Sequence, residues 1–253
     1  MVVCIFTEVP VKRYSPNGSE RLLSFEDALE CHIVERRNRF VVTIEIDGTK
    51  YSAWNTNTGR LLDLVLPGKK AYCIERKGKG TTSHHLIAVS RRVYAAVIDT
   101  QTQMKTFEIM VHRNLLEWLH LYHILKRNAA LHNSIIDYLL ESSQQQLYVE
   151  VKSAVQKVGD MAMYPDCPSL RGRKHIRDLM AHVDAGGNAC IVFIAALPHV
   201  KRFRPNKEAD PVIHSLIQEA CSLGVDVRAV GLFFDPSDGG VYVYNRDLAI
   251  DLL

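Results

Sequence analysis

The stretch Asn133–Ser153, NSIIDYLLESSQQQLYVEVKS, decides how the rest of the chain is interpreted. Its two apolar halves predict the strands Ser134–Leu140 and Leu147–Lys152. The polar segment Glu141–Gln146 between them predicts a turn, so the two strands form a hairpin. The sequence therefore predicts an antiparallel pair around which the other elements are arranged.

This hairpin brings three charged side chains together. With the turn centred between the strands, Asp137 lies opposite Glu150, about 4.5–5.5 Å away between Cβ atoms. Glu150 and Lys152 leave their strand on one face, whereas Val151 points to the other. The two carboxylates, with the Val151 carbonyl as a third ligand, can hold Mg²⁺ or Mn²⁺, and the lysine can polarise or help deprotonate a metal-bound water. Asp137, Glu150 and Lys152 are therefore candidate catalytic residues. The spacing resembles that of the restriction-endonuclease-like nucleases, although Glu-x-Lys is also an ordinary charge pair of surface strands.

Length and composition are those of a globular protein. The 253 residues can form one large or two modest domains, and 47% of them are hydrophobic and 23% charged. No apolar run is long enough to cross a bilayer, and the N-terminus lacks the pattern of a secretory signal. The six cysteines are scattered, without metal-type pairs. We expect a cytoplasmic protein with reduced thiols and no membrane segment.

Charge is distributed unevenly along the chain. Residues 1–92 contain 15 Lys and Arg against 10 Asp and Glu, whereas the remainder contains 16 against 18. A basic first part beside a mildly acidic second part is consistent with a polyanion-binding module attached to a metal-carboxylate site.

The first part predicts a small β-barrel. Residues 1–24 show no clear period and are interpreted as a lead-in. Phe40–Ile46 alternates, Asp47-Gly48 supplies a turn, and Thr49–Trp54 returns, which places Ile44 opposite Tyr51. Several short strands with turn signals suggest an OB-fold-like barrel over residues 1–96, a fold that often binds nucleic acid. A barrel that serves only for packing or dimerisation is the alternative. The further predicted strands are Ala71–Arg76, His85–Ser90 and Val93–Asp99.

Two segments of this barrel are candidates for nucleic-acid binding. Asn57 and Arg60 belong to a polar segment around a glycine, which can offer backbone N–H groups and a guanidinium to a phosphate. A loop leading into a helix cap explains the same residues equally well. Arg39 lies in a basic run ahead of the first clear strand, where it can neutralise backbone charge or simply face solvent.

The second part, residues 97–253, predicts a mixed α/β domain. Apolar spacing predicts a helix over Thr106–Arg127, with Glu108 early enough to turn toward the hairpin carboxylates and supply a further metal ligand. Strands and helices then alternate, which indicates an α/β sandwich with a mixed sheet. The predicted elements are strands Ala189–Leu197, Val225–Phe234 and Val241–Tyr244 and helix Pro211–Leu223.

A helix is also predicted to start near Gly172, and its beginning is strongly basic. Cations are locally unfavourable at a helix N-terminus, so their presence there makes sense if this end receives a phosphate. Salt bridges to nearby Asp and Glu are the alternative. The candidate nucleic-acid-binding residues here are Arg171, Arg173, Lys174 and His175.

Several segments, in this order along the chain, resemble the sugar fermentation stimulation protein family of bacteria and archaea. The family pattern has Arg where this chain has Ile135 and Asn where it has Ser153, but the three charged hairpin residues are all present. The matching segments are Arg37–Phe40, Asn57–Arg60, Pro67-Gly68, Ser134–Leu140, Tyr148–Lys152, Pro165-Asp166, Arg171–His175, Phe203 with Pro205, and Asp210-Pro211.

The resemblance implies an N-terminal OB-fold-like domain, a C-terminal restriction-endonuclease-like domain, DNA binding and a role in regulating sugar metabolism. Two functions are therefore expected as alternatives. One is a Mg²⁺- or Mn²⁺-dependent nuclease acting on DNA. The other is a DNA-binding regulator whose nuclease-like domain is structural. Self-association into a homo-oligomer stays open at this point.

Overall fold

The computed structural model describes residues 18–78 and 80–252, so most of the interpreted lead-in lies outside the described residues. The helices in these residues are α1 (Thr100–His112), α2 (Leu170–Asp184) and α3 (Pro211–Leu223), and a 3₁₀ turn spans Glu117–Leu119. None of these described helices is long and apolar enough to cross a lipid bilayer. The strands are β1 (Glu20–Ser24), β2 (Leu29–Arg36), β3 (Val41–Ile46), β4 (Thr49–Trp54), β5 (Lys70–Glu75), β6 (His84–Arg91), β7 (Tyr94–Val97), β8 (His123–Leu131), β9 (Ser134–Glu141), β10 (Gln146–Ser153), β11 (Gln156–Val158), β12 (Met161–Tyr164), β13 (Ala189–Ala195), β14 (Arg202–Pro205), β15 (Asp226–Asp235), β16 (Gly240–Asn245) and β17 (Ala249–Ile250).

Five strands close into a small barrel, as the alternating pattern predicts. The order is β2-β3-β4-β6-β5 and back to β2, with β4 and β6 parallel and the other neighbours antiparallel. The β3–β4 turn has positive φ at Asp47 (48°) and Gly48 (77°), which a two-residue hairpin of this kind requires. Ile44 pairs with Tyr51 as predicted, and Ile44 is fully buried inside the barrel.

The second unit is a mixed sheet with helices on both faces. Its order is β8-β9-β10-β13-β15-β16; β10, β13 and β15 are parallel, and the outer neighbours are antiparallel. Helix α1 packs on one face, against β8 and β10, and α2 packs on the other, against β9 and β13. Helix α3 lies beside α2. A second small sheet, β11-β12-β14-β17, packs near β13, with Phe203 stacked on Phe193.

The barrel and the mixed sheet are continuous. Strand β7 pairs with β6 of the barrel and with β15 of the second unit, so one sheet passes through both. Strand β1 pairs with β16, so residues 20–24 of the interpreted lead-in are a strand of the second unit's sheet. Buried Asp99 strengthens the junction: it accepts hydrogen bonds from Thr56 Oγ1 (2.5 Å), approaches His85 Nε2 (2.9 Å) and caps α1 through the Thr102 N–H (2.8 Å).

The predicted helix Thr106–Arg127 is wrong in both of its bounds. Helix α1 begins earlier because Asp99 caps it, and it ends before Asn114, whose φ of 51° is incompatible with continuing the helix. The end of the predicted helix, from His123 onward, belongs to β8, which pairs with β9. Between α1 and β8, residues 115–122 form a loop and the 3₁₀ turn, and Leu116 and Leu119 are buried there without a continuous helix. The predicted positions of α2, α3, β13, β15 and β16 agree with the structure to within a few residues.

Asp210 ties the starts of two helices together. Its fully buried carboxylate accepts from the N–H groups of Val212 (3.1 Å) and Ile213 (3.0 Å), which caps α3. It also accepts from the Ser169 N–H (3.0 Å), just before α2, and from Arg173 Nη2 (2.9 Å). Burial works against ionisation, but the Arg173 and backbone hydrogen bonds outweigh it and lower the pKa of Asp210.

Asp210→Ala is expected to reduce the free energy of unfolding by about 2–4 kcal/mol, because it removes both a helix cap and a charge-assisted hydrogen bond. Asp210→Asn keeps a capping oxygen but not the charge, so its loss should be smaller. Urea unfolding of both variants tests this, with Glu219→Ala, an exposed substitution on the same helix, as the control. An Asp210→Ala midpoint equal to that of the control would contradict the prediction.

Candidate metal and nucleic-acid site

The β9–β10 hairpin has the predicted register, and its backbone pairing stops at the charged residues. The ladder runs from Glu141–Gln146 to Tyr138–Val149, which places Asp137 opposite Glu150. There, the Val151 N–H donates to Asp137 Oδ2 (2.8 Å), and the Asp137 N–H donates to Glu150 Oε2 (3.3 Å). Side-chain carboxylates thus replace backbone carbonyls as acceptors where the two strands part.

The Val151 carbonyl faces the same gap. Tyr148 and Ala154 donate their N–H groups to the Asn188 and Ile194 carbonyls on the β13 side of β10. The odd-numbered residues of β10 must therefore direct their backbone groups toward β9, as the Val151 N–H does. Because the N–H and C=O of one strand residue point to the same side, the Val151 oxygen lies on the Asp137 side of β10.

Glu150 is a buried carboxylate held ionised by the Lys152 ammonium and by a hydrogen-bond contact with His175. Glu150 is 1% exposed. Lys152 Nζ forms an ion pair with Glu150 Oε1, and His175 Nδ1 lies 2.6 Å from the same oxygen. Burial opposes ionisation, but Lys152 and His175 outweigh it and lower the pKa of Glu150. The pKa of Lys152 is raised in turn, because the attraction of Glu150 exceeds the effect of burial. Lys152 is therefore a protonated ammonium.

The pKa of Asp137 is shifted in the direction opposite to that of Glu150. Burial and the neighbouring Glu150 charge raise the pKa of Asp137 from 3.8 to about 6, although Lys152 partly offsets this. Two carboxylates at one spot thus have pKa values pushed in opposite directions, which is common where charged groups have a chemical task.

Glu108 is not brought to this pair. Its carboxylate accepts from the Tyr138 hydroxyl (2.9 Å) and from Arg127 Nη2 (2.5 Å). Tyr138 follows Asp137 along β9, so its side chain leaves the sheet on the opposite face. Of the four predicted metal ligands, the structure therefore assembles Asp137, Glu150 and the Val151 carbonyl, and Glu108 binds side chains on the α1 side instead.

The four basic residues at the start of α2 have different surroundings. Arg171 and Lys174 are exposed; Arg171 Nε lies 3.3 Å from His175 Nε2, and Lys174 donates to the Asn133 carbonyl. Arg173 is paired with Asp210, as the salt-bridge alternative expects, and His175 is only 4% exposed against Glu150. Phosphate binding by these residues stays a prediction, and only Arg171 and Lys174 present their cationic groups to solvent.

The barrel reaches the hairpin through one loop. Asn57 is 8% exposed and donates to Ser153 Oγ (3.2 Å), which directly follows Lys152. The Leu61 N–H donates to Asp166 Oδ2 (2.9 Å), and Gly59 approaches the same carboxylate so closely that an added Cβ would lie 2.6 Å from it. A side chain at position 59 would therefore force the Asp166 carboxylate to move. The loop lies against the second unit at the end of β10.

Two further predicted barrel residues are exposed beside this loop. The side chains of Arg39 and Arg60 face solvent, while their backbone carbonyls accept hydrogen bonds from Arg36. Asn55 also donates to the Arg39 carbonyl (2.9 Å). Arg36 thus stabilises the loop by donating to its backbone, and the side chains of Arg39 and Arg60 remain accessible to a ligand.

Sequence reasoning missed the structural partners of these residues. Ser153 and Asp166 both accept hydrogen bonds from the barrel, but the sequence indicates these two positions only through the family resemblance. The contact of His175 with Glu150 joins residues far apart in the sequence, and the basic run around His175 indicated a phosphate instead. The one signal in the sequence is that His175 lies on the apolar face of an amphipathic helix.

The donor set fits a hard cation that keeps part of its water. Among residues 18–78 and 80–252, no three His, Cys, Asp or Glu side chains cluster into a metal site built from side chains alone. Two carboxylates with one backbone carbonyl are nevertheless a ligand set that Mg²⁺ accepts, because this ion usually retains several waters. Asp137 Oδ1 makes no hydrogen bond with the described residues, in contrast to both oxygens of Glu150.

Fold and site together define a two-unit α/β protein, with a closed barrel docked beside a charged hairpin in a mixed sheet. The family "SfsA N-terminal OB domain" matches residues 34–98, and "Sugar fermentation stimulation protein RE domain" matches residues 101–238. The chain belongs to the sugar fermentation stimulation protein (SfsA) family.

Relatives with this name cover nearly the whole chain. A sugar fermentation stimulation protein homolog of Pyrococcus furiosus is 40% identical over 92% of this chain and 100% of its own length. That of Archaeoglobus fulgidus is 41% identical over 91% and 99%. A solved structure of Pyrococcus furiosus SfsA in complex with Ca²⁺ is 39% identical, with a TM-score of 0.88, and covers 91% of this chain and 99% of that one.

The raised pKa of Asp137 predicts a pH-dependent stability in the presence of a chelator. An acid whose pKa is higher in the folded state stabilises the fold below its unfolded pKa, and this contribution is lost as the pH rises through about 6. Asp137→Asn cannot ionise, so its free energy of unfolding should gain on that of the wild type between about pH 4 and pH 7. Urea unfolding across this range measures the difference, with Asp178→Asn as the control. Parallel curves for Asp137→Asn and wild type would refute the assignment.

Proposed function

We propose that this chain binds DNA and, with Mg²⁺ or Mn²⁺, hydrolyses phosphodiester bonds at the hairpin of Asp137, Glu150 and Lys152. In this proposal the second unit is a restriction-endonuclease-like domain. The observation that carries it is the end of the β9–β10 ladder, where two carboxylates with opposed pKa shifts lie beside a protonated lysine. A purely structural hairpin has no need of such a buried charge cluster, which is costly to desolvate.

The cation would be held by Asp137, Glu150 and the Val151 carbonyl. The Oδ1 atom of Asp137 is without a hydrogen bond to the described residues, and the carbonyl faces the same gap. A Ca²⁺ complex of a relative 39% identical supports a site for a hard cation in this family. When bound, a divalent ion supplies a water of lowered pKa and neutralises phosphate charge.

Lys152 would act on the phosphate rather than as a base. Because its pKa is raised, it keeps its proton and can donate a hydrogen bond to a phosphate oxygen. The charge that develops on the phosphate during attack strengthens this interaction, so the contact favours the transition state over the bound substrate. His175 would hold Glu150 in position from the α2 side through its 2.6 Å contact.

DNA would contact both units. Arg171 and Lys174 are exposed at the start of α2, which is tied to the hairpin through His175. Arg39 and Arg60 are exposed on the barrel side, where the loop is anchored to Ser153 at the end of β10. These two basic surfaces are therefore fixed relative to the charged hairpin, as a polyanion that spans both would require.

One observation favours the alternative of a DNA-binding regulator without catalysis. Both oxygens of Glu150 are engaged by protein groups, so this carboxylate has hydrogen-bond partners without a metal ion. A charged hairpin in this state can serve as a structural core for a regulator of sugar-metabolism genes. The two functions differ in whether DNA is cleaved after it is bound.

Labelled single- and double-stranded DNA, incubated with Mg²⁺, with Mn²⁺ and with chelator, separates these functions. Wild type is expected to cleave only with metal. Lys152→Met should lower the cleavage rate at least about 100-fold with DNA affinity nearly unchanged, since the lysine contributes mainly in the transition state. The matched control is Lys157→Met on the following strand, β11. In the wild type the Lys157 ammonium donates to the Pro198 carbonyl at 3.2 Å.

Thermal unfolding must show that Lys152→Met is folded, since it removes a partner of buried Glu150. Binding without cleavage by wild type in every metal would select the regulator. Full activity of a folded Lys152→Met would remove the lysine from the mechanism while leaving the nuclease in place.

The phosphate contacts of α2 are tested by salt dependence. Each lost phosphate contact flattens the slope of log K against log salt by about 0.7–0.9, so Arg171→Gln with Lys174→Gln should reduce the slope by about 1.5. The loss of affinity should be similar for unrelated sequences, because phosphates carry no base information. Lys105→Gln, exposed on α1 at the opposite face of the sheet, is the control. An unchanged slope in the double variant would mean that α2 does not touch the DNA backbone.

A further inference from the structure

A groove of about 430 Å³ lies between the start of β9 and the start of α2. Its lining includes Ile135, Leu170, Arg171, Lys174 and His175. The volume is in the range of about 300–1,000 Å³ that small-ligand sites occupy, so it is suited to one nucleotide rather than to a duplex.

The groove exposes two aliphatic side chains. Leu170 is 78% exposed and Ile135 is 49% exposed. Leu170 is the first residue of α2, directly after the capping Ser169, a position where the helix itself has no need of an apolar side chain. Two such side chains side by side leave an apolar patch that a ligand can cover.

The same groove is positively charged and continues into the proposed site. Arg171 and Lys174 line it, and Lys174 is fixed by its hydrogen bond to the Asn133 carbonyl at the other side. Ile135 lies two residues before Asp137 on β9 and therefore on the same face of the sheet. His175 lines the groove with its ring and contacts Glu150 through Nδ1, so the groove and the carboxylates share a wall.

We propose that this groove receives an unpaired nucleotide of single-stranded nucleic acid, next to the phosphate that the hairpin would hold; the inference rests on the proposed function. A duplex presents charged phosphates to a protein surface and keeps its base faces stacked inside. An unpaired nucleotide exposes its base and sugar, which Leu170 and Ile135 can cover, while Arg171 and Lys174 receive its phosphates. The combination of aliphatic and cationic groups therefore favours the single strand.

The test measures the affinity of a short fluorescent oligodeoxynucleotide and of its duplex, in chelator and again in Ca²⁺. Leu170→Ser with Ile135→Ser should weaken single-strand binding about tenfold, because the contact area covered by the two side chains is lost. Duplex affinity should change less than about twofold, and the salt slope should stay the same because no charge is removed. Leu223→Ser, at an exposed leucine near the end of α3, is the matched control.

The outcomes separate this inference from the function on which it rests. Wild type that binds DNA, with a double variant that loses nothing or loses single- and double-strand affinity equally, overturns the groove assignment alone. Wild type that binds neither oligonucleotide in either condition overturns the proposed function together with the groove. Both substituted side chains are exposed, and an unchanged thermal unfolding midpoint of the double variant confirms that the comparison is made on folded protein.

Discussion

Much of the second unit is arranged around the need to keep Glu150 charged while it is buried. A carboxylate with 1% exposure is stable as an anion only if cations and hydrogen-bond donors replace its water. Lys152 supplies a cation from the same face of β10, and His175 adds a 2.6 Å contact from α2, which packs on that face. The position of α2 over the hairpin, and the gap that opens where Asp137 meets Glu150, both follow from this requirement.

The basic start of α2 is also explained by its partners. Cations at a helix N-terminus oppose the helix dipole, and here the Arg173 guanidinium is compensated by a buried acid. Arg173 pairs with Asp210, which caps α3 in the same contact, and His175 pairs with Glu150. Arg171 and Lys174 contact His175 and the Asn133 carbonyl but have no carboxylate partner among the described residues, so no ion pair offsets the unfavourable helix dipole at these two positions.

The parts of this structure that the sequence predicts are those fixed by local period and turn chemistry. The hairpin register follows from strand alternation and a symmetric turn, and the Asp47-Gly48 turn follows from the positive φ that it requires. The parts that the sequence does not predict are determined by contacts between segments far apart in the chain. The helical spacing was misleading beyond α1, because Leu116 and Leu119 are buried from a loop and a 3₁₀ turn instead of from a helix. The Glu108 carboxylate accepts hydrogen bonds from Tyr138 and Arg127 instead of facing the hairpin carboxylates. No local pattern reveals that His175 faces Glu150 or that Asn57 reaches Ser153.

The continuous sheet has a consequence for how such a protein can be taken apart. The two family domains meet near residue 99, yet β7 before that boundary pairs with β15 after it, and β1 pairs with β16. Cutting the chain at the boundary would bare the edges of both fragments and expose residues of a shared hydrophobic core. Neither fragment would be a faithful copy of its half, so the contributions of barrel and hairpin must be separated by point substitution in the intact chain. The two family matches divide the chain near residue 99, whereas the unit of folding extends across that position.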